Sequence, residues 1–227
     1  MIRLMTYNIR GCIGMDNQMS VERIAEVIRE SHARVVCLQE VHTLRKVSHF
    51  TDQPIELARL LDMRVAFQVN YREGAGGLGN AILTTLEVEH TRSHILTSKG
   101  EQRGFLEVGL RAPEGAFTVL TTHLGLSGDE RLNQAKEITE VMKTIKNPKL
   151  VCGDLNAEPK EEPILELINA CGLTDADADG ELTFDAGKPH KRIDYVLTDS
   201  AFSVMGTKVV KTTASDHLPL IADLSLL

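Results

Sequence analysis

Short apolar runs rich in β-branched residues recur along the chain, at residues 2–7, 34–39, 64–69, 80–85, 104–111, 117–122, 149–152, 193–197 and 202–211. Polar or glycine-bearing stretches bound them, which predicts strands. Amphipathic segments are fewer, and four predict helices. The clearest opens at Ser127, where Glu130 three residues on completes a capping-box pattern, and carries Leu132, Ala135, Ile138, Met142 and Ile145 on one face. A second starts near Ser20 with Val21, Ile24, Ala25 and Ile28 inward; Pro54 opens a third over Leu57, Leu60 and Leu61; Pro163 lies early in a fourth that ends at Gly172. Strands outnumber helices, and neighbours such as 104–111 and 117–122 read as hairpins, so the sheets are expected to be mixed or largely antiparallel.

The stretch Gly74-Ala75-Gly76-Gly77-Leu78-Gly79 matches G-x-G-x-x-G in form, but the strand-like Asn80-Ala81-Ile82-Leu83-Thr84 follows it. A dinucleotide fingerprint needs its last glycine to enter a helix whose N-terminus holds the pyrophosphate. A flexible hairpin loop is the expectation instead.

With 227 residues, 42% hydrophobic and 25% charged, the chain has the balance of a globular protein and is expected to form a single domain over residues 1–227. A core of that size needs no disulfide or structural metal. Cys12, Cys37, Cys152 and Cys171 contain no C-x-x-C pair, and three of them sit in or just after apolar runs, so they read as packing residues. The net charge of -7 gives no global field for collecting nucleic acid, and 4% aromatics without Trp leave few platforms for stacking bases. No apolar stretch is long enough for a membrane span, and the start lacks the layout of a signal peptide, so the expected location is the cytoplasm and the expected state a monomer.

The candidate chemistry lies where polar residues end apolar runs. Asn8, Glu40, His123, and the pair Asp154 and Asn156 each follow such a run; Asp194 lies inside Ile193-Asp194-Tyr195, and Asp216-His217 arrives late in the chain. Any one of these is ordinarily a turn residue. Asp194 is different, because a carboxylate within an apolar run is costly unless paired. If the strands end at one rim, the groups converge in one cleft with the oxygen-rich donors that suit a hard divalent cation and a phosphate.

The motifs Tyr7-Asn8-Ile9, Leu38-Gln39-Glu40-Val41, Thr122-His123-Leu124, Gly153-Asp154-Leu155-Asn156, Arg192-Ile193-Asp194-Tyr195 and Ser215-Asp216-His217-Leu218-Pro219 occur in an order that resembles the endonuclease/exonuclease/phosphatase superfamily, from residue 2 to 224. The resemblance implies a DNase I-like α/β fold, a four-layer sandwich of two mixed, mostly antiparallel sheets flanked by helices. It implies a phosphoester hydrolase dependent on Mg²⁺ or Mn²⁺, with Asn8 and Glu40 on the metal and Asp216 on or beside it. Asp154 would orient or deprotonate the attacking water, Asn156 would bond the phosphoryl oxygens, and His217, held by Asp194, would meet the phosphate. His123 would be the leaving-group acid, Arg103 a phosphate contact and Asn80 a substrate-side contact. Leu155 stands where an aromatic is common, and no carboxylate supporting the His123 position is identifiable in the sequence.

The substrate is expected to be a small phosphodiester, a lipid head group or a phosphomonoester, since insertions for distorting a duplex are not evident. The alternatives are a DNA or RNA nuclease of the same superfamily and a non-catalytic binding module. A binding module would be expected to have lost some of Glu40, Asp154, Asn156, Asp194, Asp216 and His217, and all six are present.

Overall fold

The computed structural model describes residues 1–178 and 180–227. Along the chain run β1 (Ile2–Asn8), α1 (Val21–Ser31), β2 (Val35–Thr43), α2 (Gln53–Leu61), β3 (Arg64–Glu73), β4 (Gly76–Thr84), β5 (Glu87–Ile95), β6 (Gly104–Ala112), β7 (Gly115–His123), α3 (Gly128–Thr144), β8 (Lys149–Asp154), α4 (Glu162–Cys171), β9 (Thr174–Asp175), β10 (Asp194–Thr198), β11 (Phe202–Val209) and β12 (Leu220–Leu226). The strands form two six-stranded sheets, ordered β11-β12-β1-β2-β4-β3 and β5-β6-β7-β8-β10-β9.

Alternation along each strand assigns its two faces. Leu4, Val35, Cys37, Leu106, Val108, Val119, Leu150, Cys152, Val196 and Leu220 form the buried layer between the sheets. The residues between them point outward: Met5, Tyr7, Val36 and Leu38 meet Ile24 and Ile28 of α1 and Leu57 of α2. On the other sheet Leu120, Val151, Tyr195 and Leu197 meet Ala135, Ile138 and Met142 of α3 and Ile164 and Leu167 of α4. Helix, sheet, sheet, helix is therefore the layer order, as the resemblance implies.

Each sheet holds one parallel pair, β1 with β2 and β7 with β8. β12 runs antiparallel to β1, and β10 antiparallel to β8. The C-terminal ends of β1, β2, β7 and β8 thus share one rim with the N-terminal ends of β10 and β12. That rim carries the polar residues picked out above.

All four helices form. Ser20 caps α1 through its hydroxyl on the Arg23 N–H, and Gly172 ends α4 at φ +63°. The capping box at α3 does not form: Ser127 makes no side-chain cap bond, and Glu130 turns inward to accept from the Lys99 N–H and from Gln134. The glycine-rich stretch forms a hairpin, but the glycines are mostly strand: β4 begins at Gly76, and a Cβ on Gly79 would lie 1.7 Å from the Gln68 carbonyl oxygen of β3. Close approach of two backbones is what those glycines serve. β5 was not expected, because Glu87–Ile95 is an edge strand whose polar residues face solvent, and β9 and β12 were missed as well. The cysteines are reduced, with Cys12, Cys37 and Cys152 buried.

Candidate active site

The rim places Asn8, Glu40, His123, Asp154, Asn156, Asp194, Asp216 and His217 around one cleft. Two local distortions aim the side chains. A bulge in β2, where Leu38 opposes Ala81 and Val41 opposes Gly79, inserts one extra residue, and Glu40 within it has φ +54°. Such a bulge re-aims a side chain out of the pleat, here toward the rim. Gly153 has φ +141°, and a Cβ there would stand 1.9 Å from the Thr122 carbonyl oxygen, so only glycine lets β8 lie this close to β7 just before Asp154.

Asp154, 1% exposed, is the hub. The Asn8 amide donates to its Oδ2 at 3.0 Å and also to Glu40 Oε1 at 3.0 Å. The Asn156 N–H donates to Asp154 Oδ1 at 3.0 Å, with Asn156 itself at φ +49°. His123 Nε2 lies 3.4 Å and His217 Nε2 3.5 Å from Oδ2. His217 donates through Nδ1 to Asp194 Oδ2 at 2.9 Å. In the β10–β8 register Asp194 stands directly opposite Asp154, which brings that second carboxylate into the cluster. The Ser215 hydroxyl fixes the neighbouring loop by donating to the Asn8 carbonyl at 2.8 Å, and Arg10 pairs with Asp216 at 3.5 Å.

The two histidines are in opposite electrostatic situations. Burial lowers His123 to about 3, and although Asp154 pulls the other way, Arg103 and His217 add to the lowering. Burial also works against charge on His217, but the Asp194 and Asp154 carboxylates outweigh it and raise the group to about 10. His217 is thus the imidazolium and His123 the neutral ring. Arg103 donates to His123 Nδ1 at 3.0 Å, and the Asn156 amide nitrogen, which donates to the Leu124 carbonyl at 3.0 Å, lies 3.0 Å from Nε2, so donors face both nitrogens of the ring. Where a supporting carboxylate was sought for His123, an arginine stands. That setting keeps the ring neutral.

The cleft encloses about 290 Å³ and is lined by Glu40, His123, Asp154, Asn156, Asp216 and His217 together with His42, Arg45, Leu78, Glu101, Arg103, Leu126 and Phe184, while Asn8 and Asp194 are buried behind this surface. A depression of about 350 Å³ elsewhere, lined by Arg3, Val27, Glu30 and Lys208 among others, gathers no comparable set of reacting groups. Arg103 is buried at 7% exposure and also pairs with Glu101 at 2.9 Å. Asn80 is not brought to the cleft: it is buried in β4, and its amide donates to the Gly104 carbonyl at 2.9 Å. His42, Arg45, Glu101, Leu126 and Phe184 were not singled out from the sequence. Only His42 carried a signal there, lying two positions beyond Glu40.

The donor set suits a hard cation. Asp154, Asp194 and His217 are buried and offer one ligand atom each, all within 4.8 Å of one another, so this group is able to hold a metal ion when the His217 ring is neutral, and its two carboxylates are able to when the ring is charged. Asp194 Oδ1 is buried without a partner among the described residues. Burial, with the charges of Asp154 and Asp216 added, raises Glu40 above its ordinary carboxyl value in spite of the bond from Asn8. Crowded carboxylates of this kind are relieved by a cation, and the four cysteines stand in no such group.

The sequence profile of the Endonuclease/Exonuclease/phosphatase family matches residues 5–217. The chain belongs to this family. Its members are typically metal-dependent phosphoester hydrolases. Among solved structures, the chain is similar to an endonuclease/exonuclease/phosphatase from Beutenbergia cavernae, at 26% identity and TM-score 0.82 over 99% of this chain and 71% of that one. It is similar to the human Nocturnin catalytic domain with bound sulfate, at 24% identity and TM-score 0.80 over 100% of this chain and 94% of that one. A mannosyl-6-phosphatase from Bacteroides thetaiotaomicron aligns at 18% identity and TM-score 0.80 over the full length of both chains. No curated protein sequence matches the chain. No helix among the described residues is long and apolar enough to cross a membrane.

Proposed function

We propose that the protein hydrolyses phosphoester bonds with Mg²⁺ or Mn²⁺, acting on a small phosphodiester, a lipid head group or a phosphomonoester in preference to duplex DNA. The observation that carries this reading is the Asp154 hub: a buried carboxylate ringed by Asn8, Asn156, His123 and His217, with a second carboxylate behind His217. A metal-binding pocket alone needs no such ring of donors, whereas in-line attack on phosphorus needs an aimed water, neutralised equatorial oxygens and a proton for the leaving oxygen.

Asn8, Glu40 and Asp216 are the residues we assign to the cation, with the Asp154, Asp194 and His217 group beside them. When bound, the cation supplies charge neutralisation at the phosphoryl oxygens. Asp154 orients the water and takes its proton, with its own position fixed by the Asn8 amide and the Asn156 N–H. His217, kept charged by Asp194, bonds a phosphoryl oxygen through its Nε2–H and gives that proton to the leaving oxygen, and the proton that Asp154 takes from the water replaces it across the 3.5 Å between them. His123 is the neutral ring beside the same centre, held between Arg103 at Nδ1 and the Asn156 amide at Nε2. Asn156, whose amide nitrogen lies against the Leu124 carbonyl and His123 Nε2 at 3.0 Å each, is the residue we assign to a phosphoryl oxygen.

The substrate preference rests on the net charge of -7 and on the size of the cleft. Duplex binding gains affinity by releasing counterions along a basic track. In the tightest basic stretch of the sequence, Lys188 to Arg192, Arg192 is taken up by Asp175 and by the Tyr195 ring at 4.5 Å. The mannosyl-6-phosphatase of the same fold supports counting a phosphomonoester among the candidates. The test is a panel of bis-p-nitrophenyl phosphate, p-nitrophenyl phosphate, sphingomyelin, RNA, abasic duplex and plasmid with Mg²⁺, Mn²⁺ or EDTA. A higher kcat/KM for plasmid than for every small phosphoester and lipid at moderate salt would make the protein a nuclease.

A further inference from the structure

Arg45 lines the cleft together with Glu40, Arg103 and Asp154, yet nothing in the chemistry above uses it. It follows β2, and its backbone is pinned: its carbonyl accepts from the Ser48 N–H at 3.1 Å, the Phe50 N–H at 2.9 Å and the Ser48 hydroxyl at 3.1 Å. Its head is pinned as well. Nε and Nη2 reach Glu73 of β3 at 2.7 and 2.5 Å, and Nη1 lies 3.0 Å from His42 Nε2. Since the guanidinium is donor only, His42 accepts there. The His42 ring is seated in turn against Gly11, at φ +59°, where a Cβ would come within 2.3 Å of the ring. The Gln53 side chain accepts from the His42 N–H at 2.8 Å and donates to the Gly11 carbonyl at 2.6 Å.

Residues from four separate segments therefore hold one guanidinium in a fixed orientation on a cleft wall. Of its five N–H groups, Glu73 takes two and His42 one, leaving two. A surface tie between β2 and β3 would need only the Glu73 pair, and Glu73 is itself half exposed, whereas the Arg45 side chain is 18% exposed. An immobilised fork with free donors matches the paired oxygens of a phosphate. The reacting phosphate is already served by Arg103, His217 and Asn156.

We infer that Arg45 is a specificity residue, held by His42 and Glu73, that binds a second phosphate group on the substrate. This rests on the phosphoester-hydrolase reading and narrows it to substrates such as a sugar bisphosphate or a nucleoside bisphosphate. The shared chemistry is a second phosphate within reach of the scissile one.

The test measures binding by calorimetry in EDTA, where no turnover is expected, so that it is independent of hydrolysis. The probes are fructose 1,6-bisphosphate against its two monophosphates, and adenosine 3′,5′-bisphosphate against its two. Wild-type protein is expected to bind at least one bisphosphate about 10- to 100-fold more tightly than the better of its monophosphates, the range for a hydrogen bond to a charged group. Arg45→Gln should reduce that ratio to about 2-fold, Arg45→Lys should keep part of it, and Glu73→Gln, at an exposed position that folding tolerates, should give an intermediate value. In hydrolysis the loss should fall on KM with kcat retained for the bisphosphate. Equal binding of both bisphosphates and monophosphates by the wild type, or a ratio that survives Arg45→Gln, overturns the inference. Failure of the hydrolase reading shows separately, as no cleavage of bis-p-nitrophenyl phosphate or of any other phosphoester by wild-type protein with metal.

Discussion

Replacing Asp194 and His217 singly and together tests whether they act as one unit. The Nδ1 to Oδ2 distance is 2.9 Å, and the two residues are 1% and 5% exposed. Two opposite charges at about 4 Å attract by about 4 kcal/mol at an effective dielectric near 20. Desolvation offsets part of that, and a hydrogen bond to a charged group contributes a net of about 1.5–3 kcal/mol. At about 1.4 kcal/mol per decade, Asp194→Asn or His217→Ala should each lower kcat/KM for bis-p-nitrophenyl phosphate about 10- to 100-fold. Independent effects would multiply to about 10² to 10⁴, whereas a unit should leave the double variant near the worse single one. Stability supplies a second readout in metal-free protein. Because His217 is raised to about 10 in the folded chain, above its ordinary 6.5, its contribution is fully present below pH 6.5 and is lost as pH rises through about 10. Chemical denaturation of wild type should show that alkaline loss, and Asp194→Asn should lack most of it. Strictly multiplicative kinetics, together with an alkaline loss unchanged in Asp194→Asn, would refute the reasoning.

His123 should behave in the reverse sense: lowered to about 3, it favours folding only while neutral, so its contribution is lost as pH falls from 6.5 toward 3, and NMR of the ring should show no titration between pH 5 and 8. Arg103→Gln should remove both a phosphate contact and the donor to His123 Nδ1, lowering kcat/KM about 10- to 100-fold and shifting the ring's NMR signature. Gly153→Ala should destabilise by about 3 kcal/mol or more in denaturant titration, since the added Cβ meets the Thr122 carbonyl at a φ that L residues avoid.

The rim residues were legible because strand ends can be read from apolar runs, and because six short motifs in family order fix which ends matter. Helix faces such as Ile24 and Ile28, or Ile138 and Met142, were legible from their 3.6-residue spacing. Polar edge strand β5 was not, since Glu87–Ile95 faces solvent and lacks an apolar run. Nor was the inward turn of Glu130, where a tertiary donor from Lys99, joined by Gln134 one helical turn on, outcompeted the local cap. The bulge that aims Glu40 depends on pairing with β4, and the arginine beside His123 is 20 residues distant in sequence. Arg45, His42 and Phe184 reach the cleft from loops and strand ends whose approach only the packed sheets determine. The G-x-G-x-x-G match shows the converse, a local pattern whose glycines serve strand contact.

The most direct test of the account is turnover of bis-p-nitrophenyl phosphate by wild-type protein and Glu40→Gln, each with Mg²⁺, Mn²⁺ and EDTA, with folding checked by circular dichroism. Glu40 stands at the cleft with one third of its side chain exposed, so an isosteric amide should leave the fold intact while removing an ionised oxygen that a hard cation prefers. The account predicts hydrolysis by wild type with either metal, none in EDTA, and a loss on the order of 10²-fold or more in folded Glu40→Gln. Undiminished turnover in EDTA, or wild-type rates in Glu40→Gln, would contradict it.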